Sequence, residues 1–304
     1  MTSDGLVLAV FGPTASGKSA VAEEVVRRIP ATLISVDSMQ VYRGLPILTN
    51  QPSEPTALVG VWPLSHEGSV AEYQALAHGA IDGALAQGRT PVLVGGTGLY
   101  LRAAVSDLEL PPEPPEGLRA RVTELYERLG PERAHGALAE RDPSAAARIH
   151  PNDRRRVVRA LELTELGATL HPDDPRLWTD DTRYPTLIFG LELPKEDLDR
   201  RIEERTRAMF AAGVEDEVRR SLASGVSSTA RHALGLEEIA ELPREEAIVT
   251  LTTRTRRYAA YQRKWMRRIP GLVSLNADRP AGEIADEIVE VARSRQRLPA
   301  RRAG

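Results

Sequence analysis

The sequence predicts an α/β fold in which a parallel sheet is covered by helices on both faces and carries a helical insertion. Three observations point there. Short continuous apolar runs alternate with helically spaced segments, the pattern of strands buried on both faces and joined by crossover helices. A Gly-x-x-x-x-Gly-Lys-Ser run stands between the first strand and the first helix. Between two proline-rich stretches, the periodicity is helical only.

In order along the chain, Leu6–Phe11 is an apolar run entering Gly12 and reads as the first strand. Ser19–Ile29 has helical spacing and stops before Pro30. Thr32–Val36 is a second strand ending at Asp37, Val70–Gln87 a long helix, and Pro91–Val94 a strand closing on Gly95-Gly96. Pro111, Pro112, Pro114 and Pro115 then make a stiff connector. Residues 117 to about 166 read as helix, and a second proline- and aspartate-rich stretch covers His171–Pro175. Thr186–Leu193 returns to the sheet, and beyond Lys195 the chain is mostly helical with a short strand at Leu272–Leu275. Residues 1–110 with 185–304 are thus expected to form the core, and 111–184 the insertion.

The 304 residues are 41% hydrophobic and 27% charged, an ordinary globular balance. There are no cysteines, which excludes disulfide scaffolds, thiolate metal sites and a cysteine nucleophile. The six histidines, His66, His78, His135, His150, His171 and His232, show no ligand spacing. No apolar run approaches the ~20 residues needed to span a bilayer, and no basic lead-in precedes the first one. A soluble cytoplasmic protein is expected.

The formal charge of −3 hides an uneven distribution. Arg254, Arg256, Arg257, Arg263, Lys264, Arg267 and Arg268 crowd residues 251–268 with no acidic residue among them. Arg154, Arg155, Arg156 and Arg159 form a second cluster beside a single Asp153. Such patches suit a polyanion; the blander reading is arginine-rich solvated helices.

Gly12-Pro13-Thr14-Ala15-Ser16-Gly17-Lys18-Ser19 fits the P-loop pattern at every fixed position and in its required strand–helix setting. Glycines let backbone N–H groups converge on phosphate oxygens, Lys18 adds a point charge, and the Ser19 hydroxyl can ligate Mg²⁺. A nucleotide hydrolase would keep a carboxylate at a later strand end for the metal. Here that strand ends in Gly-Gly-Thr, and the one strand-end carboxylate near the loop is Asp37. A small-molecule kinase, or an enzyme that cradles pyrophosphate without hydrolysing a nucleotide, fits better. Asp37 falls at the ligand-binding edge of a parallel sheet; as plain structure it would cap the next helix. Thr97 offers a hydroxyl at the same edge, and the glycines beside it either admit a ligand or make a tight turn.

Together, GPTASGKS, DSMQVYRG and VGGTGLY resemble the tRNA dimethylallyltransferase (tRNA isopentenyltransferase) family. HPNDRRRVVRALEL at 150–163, RIEERTRAMFAAGVEDEV at 201–218 and RRYAAYQRKWMRR at 256–268 extend the resemblance over nearly the whole chain. It implies transfer of a dimethylallyl group from dimethylallyl diphosphate to N6 of the adenosine immediately 3′ of the anticodon. It also implies that Gly12–Ser19 hold the diphosphate with Mg²⁺, that Asp37 is the general base beside Thr97, and that Arg205 steadies the diphosphate. As plain structure, Arg201 and Arg205 would instead form helical ion pairs with nearby glutamates. The family's tRNA-contacting segments match Asp37, Ser38, Met39 and Gln40, Thr97, Arg119, Arg155, Arg156 and Arg159, residues 232–237, and a stretch containing Gln262, Arg263, Trp265 and Arg267. The implied partner is the anticodon stem-loop, met by a monomer.

The sequence departs from the family pattern at Leu48-Thr49-Asn50-Gln51-Pro52, around Pro63-Leu64-Ser65-His66, at Gly235-Leu236-Glu237-Glu238 and at Ala260-Tyr261-Gln262. None of these removes a group that the chemistry needs. Tyr258, Tyr261 and Trp265 recur at helical spacing and could be a base-stacking platform; the blander expectation makes them the buried face of their helix.

Overall fold

The structure, a computed structural model, describes residues 5–112, 114–115, 117–170 and 179–296. The described residues of Met1–Asp107 and Trp178–Gly304 form one compact unit, and those of Leu108–Leu177 a second. The second proline-rich stretch, 171–175, lies outside the described residues. Among the described residues no helix is long and apolar enough to cross a membrane.

The first unit is built on five parallel strands: β1 (Val7–Phe11), β2 (Ala31–Ser35), β3 (Thr90–Gly95), β4 (Thr186–Glu192) and β5 (Val273–Asn276). Their order across the sheet is β2-β3-β1-β4-β5, so the strand carrying the P-loop is central. All five residues of β1 are buried, as its unbroken apolar run requires. Phe11 is in register with Gly95 on one side and Gly190 on the other, and Ser35 with Val94. The carboxyl ends of β1, β2 and β3 therefore finish level, at the edge where the connections leaving β1 and β3 run to opposite halves of the sheet.

Helices surround the sheet: α1 (Lys18–Arg28), α2 (Val70–Ala86), α3 (Gly98–Val105) and, after the second unit, five more. Val21 and Val25 of α1 join Leu8, Val10, Phe189, Ile284 and Ile288 in one apolar core. Tyr73 of α2 stacks on Tyr100 of α3 at 4.1 Å between centroids and donates from its hydroxyl to the Ser35 carbonyl, anchoring the end of β2.

The second unit contains α4 (Leu118–Leu129), α5 (Pro131–Arg141), α6 (Pro143–Ala146) and α7 (Arg154–Glu165). Leu118, Val122, Tyr126, Leu138, Val157 and Leu161 line its own core. Glu162 is fully buried there and receives Arg119 Nε at 2.9 Å and Arg159 Nη1 at 3.0 Å. Arg159 also donates to the Pro112 carbonyl at 2.7 Å. Arg119 and Arg159, which the resemblance assigns to RNA, thus also neutralise a buried carboxylate. The reason is physical: a carboxylate at zero exposure needs a charged partner.

Back in the first unit, α8 (Lys195–Ala211) and α9 (Val214–Ala223) precede α10 (Leu236–Glu241), α11 (Arg244–Met266) and α12 (Ala281–Gln296). The buried face of α11 is Ala247, Ile248, Leu251, Thr252, Ala259, Gln262 and Met266. The aromatics are not that face: Tyr258 and Trp265 are half-buried, and Tyr261 is 50% exposed. Gln262 is buried there because α11 passes close over strand-end backbone, which its amide joins by hydrogen bonds.

Candidate active site

Three strand-end loops and two helices build the site. After β1, the chain turns through Gly12–Gly17 into α1, with Gly17 at φ +90° and Ala15 at φ +63°. Positive φ is ordinary for glycine and costly for alanine, so Ala15 marks a loop held by its surroundings. A Cβ at Gly12 would come within 3.0 Å of Ser16 Oγ and 3.2 Å of the Leu191 carbonyl. Ser16 is buried and its hydroxyl has no hydrogen-bond partner among the described residues. A buried orphan hydroxyl inside a P-loop fits an anion that accepts from it. Lys18 Nζ donates to the Pro13 carbonyl at 2.8 Å. Burial drives its pKa down from 10.5 to about 8; Asp37 opposes this, and Arg205 adds to it.

From α8, Arg205 reaches Thr14 Oγ1 through Nη1, while its Nε is buried with no hydrogen-bond partner among the described residues. Burial lowers its pKa, and Asp37 counters. One turn earlier, Arg201 comes within 4.0 Å of where a Gly17 Cβ would be. The glutamates of α8 pair with Arg200 and Arg207 instead. The ion-pair alternative for Arg205 is therefore wrong for this residue, and α8 turns Arg201 and Arg205 towards the loop. Their i, i+4 spacing was the available signal.

After β2, Asp37 Oδ1 accepts from the Met39 N–H at 2.9 Å and from the Gln40 N–H at 3.4 Å. These bonds shape a run of turns rather than the start of a helix, so the helix-cap alternative gives way to a turn. The Asp37 charge acts on Lys18, Arg205 and Tyr258. Gln40 is tied into its own loop: its Oε1 accepts from Ser35 Oγ and its Nε2 donates to the Thr49 and Asn50 carbonyls. Assigned to RNA, Gln40 instead has its amide spent on loop closure. Ser38 and Met39 are partly exposed. Glu217 of α9 pins the same loop by accepting from the Ile47 and Leu48 N–H groups at 2.9 and 2.8 Å; nothing in the sequence pattern signalled it.

After β3, Thr97 Oγ1 receives the Ser38 N–H at 3.3 Å, joining the second and third loops. The neighbouring glycines make room for protein groups. A Cβ at Gly95 would lie 2.5 Å from the Val36 carbonyl, one at Gly96 2.2 Å from Gln262 Nε2, and one at Gly98 2.1 Å from the Trp265 ring. The close approach read from the sequence is real, but β2 and α11 make it.

Gln262, assigned to RNA, is 2% exposed. Its Oε1 accepts from the Thr14 N–H at 2.8 Å, and its Nε2 donates to the Gly96 carbonyl at 2.9 Å. Both ends of the amide are used inside the protein, so it is not a free RNA-reading group. Trp265 packs on the start of α3 and is only partly exposed. Arg267 is exposed, Arg263 partly so. Arg155 and Arg156 are exposed on the first turn of α7, where Asp153 accepts from the Arg156 N–H. In the 232–237 segment His232 and Glu237 are exposed, whereas Leu236 is buried.

For a divalent cation, the donors within the loop reduce to the Ser19 hydroxyl at the start of α1. Among the described residues no group of three His, Cys, Asp or Glu side chains could hold a metal by itself. A single hydroxyl beside a phosphate cradle suits Mg²⁺, which takes most of its ligands from water and substrate phosphates.

Fold and loop define an α/β P-loop protein whose anion cradle shares one sheet edge with a carboxylate. A family model described as IPP transferase matches residues 40–269, and the chain belongs to that family. It is 42% identical over 277 residues to a tRNA dimethylallyltransferase of Streptomyces coelicolor, covering 87% of this chain and 88% of that protein. A tRNA dimethylallyltransferase of Frankia casuarinae is also 42% identical, covering 86% and 92%. The crystal structure of the full-length tRNA isopentenylpyrophosphate transferase from Bacillus halodurans is 32% identical, with a TM-score of 0.69, covering 97% of this chain and 99% of that one. A eukaryotic dimethylallyltransferase acting on tRNA shares the fold, with a TM-score of 0.77 at 24% identity.

Proposed function

We propose that this protein is a tRNA dimethylallyltransferase. It transfers the dimethylallyl group of dimethylallyl diphosphate to N6 of the adenosine immediately 3′ of the anticodon and releases diphosphate. The observation that carries the reading is the shared edge: Gly12–Ser19, Asp37 and Thr97 end neighbouring parallel strands, and Ser38 bonds to Thr97 across them.

An exocyclic adenine amine is a poor nucleophile because its lone pair is delocalised into the ring. Asp37 holds its turn through Oδ1, and its Oδ2 takes the amine proton as the N–C bond forms, a contribution of typically 10²–10⁴-fold. Thr97 orients the amine. As the allylic C–O bond breaks, charge gathers on the departing diphosphate, where Lys18, the loop N–H groups, Ser16 Oγ and Arg205 stabilise it. Mg²⁺, held by Ser19 and the substrate oxygens, would add further charge stabilisation there. The adenine leaves its stack to reach the edge, which an anticodon loop makes cheaper than a duplex would.

Residues 111–184 serve in this reading as the tRNA-binding insertion. Three arginines, 154–156, occupy the first turn of α7, at the positive end of the helix dipole and with no acidic residue in that turn. Cations are disfavoured there; Glu127 pairs with Arg154 and the N-cap Asp153 with Arg156, and the positive charge in excess of these pairs favours an external polyanion. Ser38, Met39, Arg119, Arg155, Arg156, Arg263 and Arg267 are among the proposed RNA contacts that remain accessible.

The test is incubation with radiolabelled dimethylallyl diphosphate and Mg²⁺, with bulk tRNA or AMP as acceptor and ATP hydrolysis as control. Label in tRNA alone is the expected result. Label in AMP would make it a free-nucleotide prenyltransferase, and Lys18-dependent ATP turnover would make it a kinase or hydrolase.

A further inference from the structure

One face of α11 runs over the strand ends and touches the first and third loops of the site. Tyr258, Gln262 and Trp265 lie at i, i+4 and i+7. The half-buried Tyr258 sits beside the Thr97 and Gln262 side chains, near enough for its hydroxyl to interact with both. Gln262 joins the Thr14 N–H to the Gly96 carbonyl, 248 and 166 residues away in sequence. Trp265 closes on Gly98.

Thr14 is the pivot of this arrangement. Its main chain is held by Gln262 from α11 and its side chain by Arg205 from α8. The next residue, Ala15, adopts a positive φ that an alanine leaves unless its neighbours hold it. Pro13 has no N–H, and the Ser16 N–H turns back to the Pro13 carbonyl at 3.2 Å. The Thr14 N–H therefore points out of the cradle into Gln262, which sets how the following peptides are presented to an anion. On its other side the same amide holds Gly96, the residue before Thr97. A Cβ at Gly96 would also lie 2.8 Å from the Gly12 carbonyl, so the two loops are already at closest approach.

We propose that Gln262, seconded by Tyr258, is a positioning residue for the transfer: a strut that sets the spacing between the diphosphate cradle and the Asp37–Thr97 pair. The proposal rests on the function given above. Both reacting partners are located by these two loops, and displacements near 1 Å at a reacting centre cost on the order of 10²-fold in rate.

The experiment compares wild type with Gln262→Met, which keeps the volume and removes both hydrogen bonds, and with Tyr258→Phe, which removes one hydroxyl. Single-turnover transfer at saturating tRNA and dimethylallyl diphosphate is measured well below the melting temperature, alongside calorimetric affinity for inorganic pyrophosphate and tRNA affinity. Gln262→Met should lower the single-turnover rate roughly 10- to 100-fold and weaken pyrophosphate binding up to about tenfold, leaving tRNA affinity unchanged. Tyr258→Phe should lower the rate several-fold without moving either affinity. A Gln262→Met protein with a reduced melting temperature but a wild-type rate and pyrophosphate affinity would make the strut merely structural and overturn the proposal. Should Gln262→Met fail to fold, Tyr258→Phe decides alone, an unchanged rate overturning it. A wild-type protein that transfers nothing to tRNA would sink the function instead, and the pyrophosphate arm would still judge whether Gln262 shapes the cradle.

Discussion

The strand-end edge of the α/β unit holds its charges partly withdrawn from water and the core of the helical unit buries one fully, and they satisfy them differently. At the edge, Lys18, Arg205 and Asp37 act on one another with no direct ion pair among the described residues; burial takes Lys18 down to about 8, and the Arg205 Nε has no hydrogen-bond partner among those residues. In the helical unit, Glu162 is clamped by two arginines and its charge is spent within the fold. Unspent charge is available to a ligand, whereas spent charge stabilises the chain that carries it. The difference teaches that burial of a charged side chain marks a site only where its partners are missing.

The strongest way to break the comparison is Asp37→Ala. Turnover should fall roughly 10²–10⁴-fold with tRNA affinity little changed, read from steady-state kinetics and filter binding. Turnover within a few-fold of wild type would leave Asp37 as a turn-former only.

Glu162→Ala tests the opposite pole. Removing the buried partner of Arg119 and Arg159 should cost about 3 kcal/mol, seen as lost hydrogen-exchange protection in α4 and α7 of the full chain. Protection in the sheet should be unaltered, and an effect on β1 instead would refute a local clamp.

Replacing Arg155, Arg156 and Arg267 together should weaken tRNA binding and flatten its log-affinity against log-salt slope by about two to three units. The rate at saturating tRNA should change less, since none of the three is proposed to touch reacting atoms. An unchanged slope would make both patches ordinary solvated surface.

The smallest effect is a pH linkage at Lys18. Its folded pKa of about 8 lies below the ordinary 10.5, so between these values the unfolded chain binds more protons. Stability from this group therefore rises with pH through that window, and the cost of burying the ammonium is full below about 8. A diphosphate favours the charged form. Metal-free pyrophosphate binding at pH 8 should accordingly take up about half a proton, measured calorimetrically in two buffers of different ionisation heat. No uptake in wild type, or the same uptake in Lys18→Met, would remove Lys18 as its source.

Much of the fold was legible before the structure because the signals are local. The central strands, buried on both faces, read as unbroken apolar runs, and all five predicted strands ran within one or two residues of the observed β1 to β5. The P-loop was legible for the same reason, since its turn, its glycines and its lysine lie within eight consecutive residues. Asp37 and Thr97 were legible as strand-end residues of a parallel sheet, whose ligand edge follows from topology.

What the sequence by itself determined is thus the sheet, its helices, the cradle and the identity of the groups offered at its edge. Only the tertiary structure decided which of those groups are free. Gln262 and Gln40 look like surface amides in sequence, yet one closes on Thr14 and Gly96 and the other on its own loop. Arg205 and Arg207 are both helical arginines among glutamates, yet one faces the loop and the other an ion pair. Hydrogen-bond partners hundreds of residues apart leave no mark on local pattern, because a buried polar group needs a partner of the right geometry and only the folded chain supplies it.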